Sequence, residues 1–424
     1  MIHATNELIL GIELNEAYAQ MTYYHQSVKE PMTLGSPSGA DQFQIPMALR
    51  QRADGRWMLW DGAPQDQKEE PDQHRISGIF GKIVRQEELS DRGTVFEPVP
   101  LLASYFGACM AQLKLLTQNT RIQVMVTVRE LTEHLGDVIA EALVANGIDR
   151  KQIYVQDYLS SFYYYTVNQK KELWYQDVAL LEYEDEAIVG YILHIDRNTR
   201  PALARVAKVA RQPMDDAVRA GRNDQEWNRE KDRLFFELLK KVFERRNVSV
   251  SYLMGDYFNK SWAERSIQYL CYKRHAFQGM NLYSKGACYA AMERAGLIPD
   301  RGILFSGRDM VTVNIGMEMN IRGKDSYYPL VSAGVNWYEA HHVCEFIPRG
   351  EREIRFVSRH MSEGSLVTHS MRLPHLPQRP ARATRLRLTV YFSSPTHCHL
   401  EVEDLGFGEL YRSSGLTWKR EIRF

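Results

Sequence analysis

Two short groups of histidine and cysteine contain side chains that could bind a metal ion. They are His341, His342 and Cys344 in one stretch, and His397, Cys398 and His399 in another. Alternate residues of a β-strand share a face, so His397 and His399 would point to the same side. Zinc sites usually combine pairs of such ligands at standard spacings, and neither group has a matching second pair. The sequence therefore predicts no metal site, and we interpret these histidines as ordinary strand residues.

A second candidate functional site, for phosphate rather than metal, is the acidic turn that follows the stretch Gly11-Ile12-Glu13-Leu14. It continues as Asn15-Glu16-Ala17. Phosphate-binding turns use glycine for close backbone approach and turn hydroxyls or amides toward the phosphate. Asn15 and Glu16 supply neither glycine nor hydroxyl, and the carboxylate of Glu16 would repel a polyphosphate. The residues of this turn are therefore poorly suited to binding a phosphate.

Composition restricts the partners and the compartment. The 424 residues include 53 Lys plus Arg and 53 Asp plus Glu, so the formal net charge is zero. Such a chain has no overall field that would attract nucleic acid or an anionic membrane. The five cysteines are scattered, unlike a disulfide framework. No segment approaches the roughly 18 apolar residues of a membrane-spanning helix. We expect a cytoplasmic protein that binds neither nucleic acid nor membrane.

The elements that would position these residues follow from periodicity. Residues 121–128 alternate like a strand, an amphipathic helix follows, and 153–155 form a further short strand. This β-α-β order favours parallel pairing within an α/β core. A strand or hairpin over 178–195 begins a second such unit, so we predict two α/β lobes. Ser261-Trp262-Ala263-Glu264 has the pattern of a capping box that opens a helix.

The periodicity becomes twofold beyond about residue 310. Apolar residues alternate through 386–392, 400–402 and 418–424. This pattern predicts a C-terminal antiparallel β-sandwich. The predicted domains are residues 1–305, with lobes of about 1–175 and 176–305, and residues 306–424.

Several motifs in this order resemble the DnaK-type heat-shock chaperones of the actin-like ATPase superfamily, without their helical lid. The most specific match is the proline-rich loop 373–380, followed by the strands 386–392 and 399–402. The Gly11–Ala17 stretch is similar to the family's first phosphate loop. Residues 181–187 stand at the position of the family's second phosphate loop, but they contain no glycine. The resemblance implies a bilobal actin-like ATPase fold with ribonuclease-H-like lobes. It also implies a β-sandwich similar to a chaperone substrate-binding domain.

The resemblance assigns roles to individual residues. Glu13, Asp157 and Glu182 stand where the family has the carboxylates that organise Mg²⁺-bound water, and Gln65 replaces the catalytic lysine. A retained nucleotide would contact Gly11, Asn15, Glu16, Gly255 and Asp256. Without the lysine, the charge stabilisation of phosphoryl transfer is lost. We therefore expect no working catalytic residue and no cofactor, with ATP and Mg²⁺ bound only if the cleft is retained.

These features favour a binding protein over an enzyme. In this interpretation, pseudo-ATPase lobes are joined to a sandwich that holds proteins or extended peptides by strand addition or in an apolar cleft. Arginines such as Arg385 and Arg387 give the sandwich local positive charge that could attract an acidic partner. Two alternatives remain open: an active Mg-ATP-dependent ATPase of the same fold, and an actin-like structural assembly protein. Nucleotide titration tests the first alternative and sedimentation the second.

Overall fold

The computed structural model describes residues 7–35, 43–60, 73–113, 120–184, 186–259, 262–321, 323–348, 352–361 and 366–424. The chain divides into two compact units, Met1–Phe305 (unit 1) and Ser306–Phe424 (unit 2). Unit 1 mixes helices and strands, whereas the regular elements described in unit 2 are strands. The fold is therefore mixed α/β followed by β. Within the described ranges, no helix combines the length and the apolar character needed to cross a bilayer.

The first half of unit 1 is built around one large sheet. Its strands are β1 (Glu7–Leu14), β2 (Tyr18–His25), β3 (Met32–Thr33), β4 (Ile45–Pro46), β5 (Ala48–Gln51), β6 (Trp57–Leu59), β7 (Arg75–Ser77), β8 (Ser90–Asp91), β9 (Thr94–Val95), β10 (Arg121–Val128) and β11 (Ile153–Asp157). Its helices are α1 (Ile79–Val84), α2 (Pro98–Met110), α3 (Glu133–Val144) and α4 (Tyr158–Val167). The predicted strand over 121–128 and the helix after it are confirmed.

Sheet A has the strand order β11-β10-β1-β2-β3, and β4 also pairs with β2. The hairpin of β1 and β2 is antiparallel, whereas β1, β10 and β11 are parallel. Glu13 lies opposite Thr127, and Val128 lies opposite Asp157. The carboxyl ends of three parallel strands therefore meet at one sheet edge, where α/β folds commonly place their sites. Two small sheets, β6-β5-β7 and β8-β9, complete this half.

The second half of unit 1 repeats this plan. Its strands are β12 (Asp177–Glu184), β13 (Ala187–Asp196), β14 (Ala202–Pro213), β15 (Val248–Met254), β16 (His275–Gly279) and β17 (Ile303–Phe305). Its helices are α5 (Asp216–Arg219), α6 (Asp224–Phe243), α7 (Glu264–Cys271) and α8 (Leu282–Arg294). Sheet B has the order β16-β15-β12-β13-β14-β17. Strands β12, β13 and β14 are antiparallel neighbours, and β12, β15 and β16 are parallel, so sheet B repeats the order and directions of sheet A.

Each half supplies a helix to the core of the other half. Helix α4 follows sheet A but packs with residues of sheet B, and α8 follows sheet B but packs with residues of sheet A. A Cβ atom on Gly11 would lie 2.2 Å from the Ser284 carbonyl oxygen, and one on Gly286 would lie 2.0 Å from that of Ser161. Glycine at these positions therefore allows α8 to approach both β1 and α4 closely.

The helix predicted to open at Glu264 is present, and Ala263 is its N-cap residue. This helix, α7, has no hydrogen bond from a capping side chain at that residue, and Ser261 lies outside the described residues. Asp232 of α6 accepts hydrogen bonds from the backbone amides of Arg265 and Ser266, at 2.9 and 3.0 Å. A neighbouring helix thus satisfies amides that a local cap would otherwise satisfy.

Unit 2 contains two four-stranded antiparallel sheets. Its strands are β18 (Val313–Ile321), β19 (Lys324–Val331), β20 (His341–Phe346), β21 (Glu353–His360), β22 (Leu366–Arg372), β23 (Arg385–Ser394), β24 (His397–Gly406) and β25 (Thr417–Arg423). Sheet C has the order β19-β18-β21-β22 and sheet D the order β20-β23-β24-β25. Buried and half-buried residues alternate along the whole of β24, as its twofold periodicity predicts.

The proline-rich loop is tied to sheet D by a buried ion pair. Two Arg379 nitrogens donate to the two carboxylate oxygens of Asp404, both at 2.7 Å, and Asp404 is fully buried. The Ser414 amide donates to the same carboxylate at 2.9 Å. Burial alone would raise the pKa of Asp404, but the hydrogen bonds from Arg379 and Ser414 outweigh it and hold the pKa well below its usual range.

Candidate functional site

The centre of the candidate site is Glu13, near the carboxyl end of β1. The side chain is buried, and its Oε2 atom has no hydrogen-bond partner within the described ranges. Burial raises the pKa of Glu13 from 4.5 to about 8, and the charge of Glu182 adds to this rise. Arg129 and a hydrogen bond with Tyr18 oppose it. Glu13 is therefore a neutral carboxylic acid near neutral pH.

Glu182 occupies a comparable place on β12 and is held by an arginine from the other half. Two Arg129 nitrogens donate to the two carboxylate oxygens of Glu182, at 3.0 and 3.2 Å. The hydroxyl of Tyr283 donates to Glu182 Oε1 at 3.2 Å. Arg129 directly follows β10, so this fork-like pair joins the edge of sheet A to sheet B.

Two tyrosines fill the space beside these carboxyl groups. Tyr158 begins α4 and Tyr283 lies in the first turn of α8, and their rings stack with centroids 4.2 Å apart. The Arg129 guanidinium lies over the Tyr158 ring at 5.3 Å, and the Tyr158 hydroxyl donates to the Leu14 carbonyl at 2.8 Å. We name the residues Glu13, Arg129, Tyr158, Glu182 and Tyr283 the carboxyl cluster.

Asp157 has a structural contact of a different kind. Its Oδ1 atom accepts a hydrogen bond from the Ser160 amide at 2.7 Å, which caps the start of α4. The neighbouring Thr127 hydroxyl donates to the Asp157 carbonyl at 3.0 Å and accepts from the Ser161 hydroxyl at 2.8 Å. These buried contacts fix the carboxyl ends of β10 and β11 against α4.

The turn between β1 and β2 is closed by one of its own side chains. The Asn15 side-chain oxygen accepts a hydrogen bond from the Ala17 amide at 3.0 Å. Glu16 is exposed and forms an ion pair with Arg85. The turn amide is therefore already occupied, and the adjacent carboxylate faces solvent. Gln65 lies outside the described residues.

The turn at Gly255, which the resemblance assigns to a bound nucleotide, is packed with aromatic rings. Gly255 has a φ of +109°, and a Cβ atom there would lie 2.4 Å from the Tyr183 carbonyl oxygen. The Tyr183 ring lies 4.7 Å from that of Tyr257 and 5.8 Å from that of Trp262. Close packing against β12 thus accounts for the glycine. Asp256 begins a short 3₁₀ turn after β15.

The structure brings Glu13 and Glu182 together and shows which of their neighbours the sequence did not single out. Arg129, Tyr158 and Tyr283 were missed, although Arg129 immediately follows a predicted parallel strand. A charged residue in that position is a general signal for a site in α/β folds. The resulting arrangement contains a neutral acid, an ion pair and two stacked phenols. None of these five residues is a glycine, whose backbone could approach a phosphate closely.

A family described as "Family of unknown function (DUF5716) C-terminal" matches residues 30–307, more than half of the chain. The chain belongs to this family. A second description, "Domain of unknown function (DUF8552)", matches residues 310–424. No curated protein matches the chain. The two matches meet close to the division between unit 1 and unit 2.

Proposed function

We propose that this chain is a partner-binding protein with DnaK-like, actin-like architecture and a degenerate nucleotide cleft, that is, a pseudo-ATPase. The repeated strand order of sheets A and B and the exchange of α4 and α8 between halves support the architecture. Unit 2, with two antiparallel sheets, supports the likeness to a chaperone substrate-binding domain. Fold alone does not determine activity, whereas the chemistry of the carboxyl cluster bears on it directly.

The state of the two carboxyl groups carries the proposal. Mg²⁺ in nucleotide sites needs ionised oxygen ligands together with phosphate oxygens. Glu13 is protonated near neutral pH, and Glu182 is already paired with Arg129. Binding of Mg-ATP here would require ionisation of a buried acid, separation of the ion pair and displacement of the Tyr158–Tyr283 stack. These costs favour a cleft closed to nucleotide.

Isothermal titration calorimetry with Mg-ATP tests this part of the proposal. We expect no saturable heat at millimolar nucleotide. A micromolar dissociation constant would contradict the proposal and favour the active ATPase. Sedimentation velocity over a range of concentrations tests the assembly alternative, for which the sedimentation coefficient would rise with concentration.

A groove on the outer part of sheet C is the proposed partner-binding surface. It has a volume of about 660 Å³, and its lining includes Glu318, Tyr327, Val357, Arg359 and Leu366. Its edge strand, β22, exposes Leu366 and Val367 by 69% and 50%. An edge strand offers unpaired backbone groups that can accept an extended peptide. Exposed apolar side chains beside that edge favour a peptide with apolar residues at alternate positions.

The arginines of β23 are a weaker candidate than the sequence predicts. Arg385 pairs with Glu345 at 3.4 Å, and Arg387 pairs with both Glu345 and Glu403 at 3.2 Å. Cross-strand carboxylates therefore neutralise much of the local positive charge. The groove on sheet C has Glu318 and Asp325 as well as Arg359 in its lining, so it is better suited to a peptide without strong negative charge.

Fluorescence anisotropy with a labelled, uncharged extended peptide of alternating apolar residues tests this surface. We expect the intact chain and residues 306–424 to bind the peptide. Leu366→Asp should weaken binding by about tenfold or more, since an anchor residue contributes about 2 kcal/mol or more and about 1.4 kcal/mol corresponds to tenfold. Leu410→Asp is the matched control because Leu410 is 90% exposed and lies outside the groove lining. Equal binding by residues 1–305 alone, or equal loss in both variants, would contradict the assignment.

A further inference from the structure

Three potential metal ligands converge on the partly exposed face of sheet D. His397 and His399 lie two residues apart on β24, and Glu421 lies on the neighbouring strand β25 directly opposite His399. Their donor atoms all lie within 4.8 Å of one another. The spacing along β24 and the register with β25 therefore place two imidazoles and one carboxylate on the same face.

The distances between donor atoms suit a small divalent ion. His397 Nε2 lies 3.1 Å from Glu421 Oε2, and His399 Nδ1 lies 3.9 Å from Glu421 Oε1. In a tetrahedral zinc site with bonds of about 2.0–2.1 Å, ligand atoms are about 3.3–3.4 Å apart. Modest side-chain rotations would therefore bring the three donors to coordination distance.

The surroundings of His399 hold its ring in the orientation that a metal requires. Its Nε2 atom lies 2.7 Å from the Ser393 hydroxyl oxygen. When Nε2–H donates to this hydroxyl, the Nδ1 lone pair faces Glu421. The Tyr391 ring stacks on the imidazole with centroids 4.8 Å apart and an angle of 9°. Support of this kind, with the second ring nitrogen hydrogen-bonded, is general among metal-binding histidines.

We propose that His397, His399 and Glu421 form a binding site for a divalent transition metal of the zinc class. Two imidazoles and a carboxylate suit Zn²⁺, Co²⁺, Ni²⁺ or Cu²⁺, whereas Mg²⁺ and Ca²⁺ prefer oxygen ligands. Solvent reaches the cluster because the Glu421 side chain is 61% exposed, so water can complete the coordination. A bound ion joins β25, an edge strand of sheet D, to β24. The proposal is independent of the nucleotide cleft and of the groove on sheet C.

The test is a titration of the full-length chain with ZnCl₂ by calorimetry, and with CoCl₂ by visible absorption, after treatment with chelator. We expect one saturable site with a Co²⁺ spectrum of low coordination number. His399→Asn and Glu421→Gln should each weaken binding by at least about tenfold, since each removes a ligand. Bound Zn²⁺ should also raise the melting temperature of the wild-type chain, because it binds only the folded site.

His341→Asn is the matched control. His341 is exposed on the same cross-strand row, opposite Tyr391, but outside the cluster. This variant should bind Zn²⁺ like the wild type. Circular dichroism in the presence of chelator establishes that each variant is folded. Absence of a saturable site in the wild type, or unchanged affinity in both His399→Asn and Glu421→Gln, would overturn the proposal.

Discussion

Replacing Glu13 with glutamine should remove a pH dependence of stability that burial creates. The folded chain retains the Glu13 proton up to about pH 8, whereas the unfolded chain releases it near the ordinary pKa of 4.5. The folded state therefore binds more protons than the unfolded state between these values. By linkage, the stabilisation is fully present below about pH 4.5 and is lost as the pH rises toward 8.

The magnitude follows from the two pKa values. Between about pH 5.5 and 7.5, the wild-type chain should lose about 2.5 kcal/mol of unfolding free energy through this one group. Glu13→Gln does not titrate, so the stability difference between wild type and variant should change by that amount. Contributions from distant titrating groups cancel in the difference.

Urea unfolding at several pH values measures this difference. The helices described in the chain all lie in unit 1, so the helical far-ultraviolet signal follows the unit that contains Glu13. Glu16→Gln is the matched control because the Glu16 side chain is 60% exposed, and its curve should stay parallel to the wild type. A parallel curve for Glu13→Gln would refute the reasoning. It would mean that the carboxyl group is ionised in the folded state and available to a cation.

Three further perturbations test the packing within the two units. Arg129→Gln should lower the unfolding free energy by about 2 kcal/mol, which is less than for a fully buried ion pair because the Arg129 side chain is 46% exposed. Adding Glu182→Gln should recover part of this loss in a double-mutant cycle. Gly286→Ala should lower the unfolding free energy by about 3 kcal/mol or more, because the new Cβ atom would collide with the backbone of Ser161. Gly136→Ala, in an ordinary helical environment, should raise it by about 0.5–1 kcal/mol. Similar urea midpoints for the two variants would contradict this. Asp404→Asn should lower the unfolding free energy of the isolated C-terminal unit by about 3–5 kcal/mol. The wild-type unit should lose stability below about pH 4, as the pH falls toward the lowered pKa of Asp404, and the variant should not. Acid unfolding profiles that coincide would contradict this.

The sequence by itself determined the local elements and their order. Alternation over 121–128 and along β24, and the helix between β10 and β11, follow from side-chain periodicity, which depends only on neighbouring residues. The lack of a glycine and of a hydroxyl group at Asn15 and Glu16 is likewise visible in the residue types. The expectations that rest on resemblance, including the role of Gln65 and the chaperone likeness, stay predictions.

The tertiary structure decided which distant residues meet. Arg129 and Glu182 form an ion pair although they are 53 residues apart in sequence. Tyr158 stacks on Tyr283 because α4 and α8 each pack against the other half of unit 1. The rise in the pKa of Glu13 also depends on burial, which no local pattern specifies. The third ligand of the proposed metal site, Glu421, lies on a neighbouring strand, and only the register of β24 with β25 places it beside His399. Local periodicity specifies the face on which a side chain lies, whereas strand register and helix packing determine its neighbours.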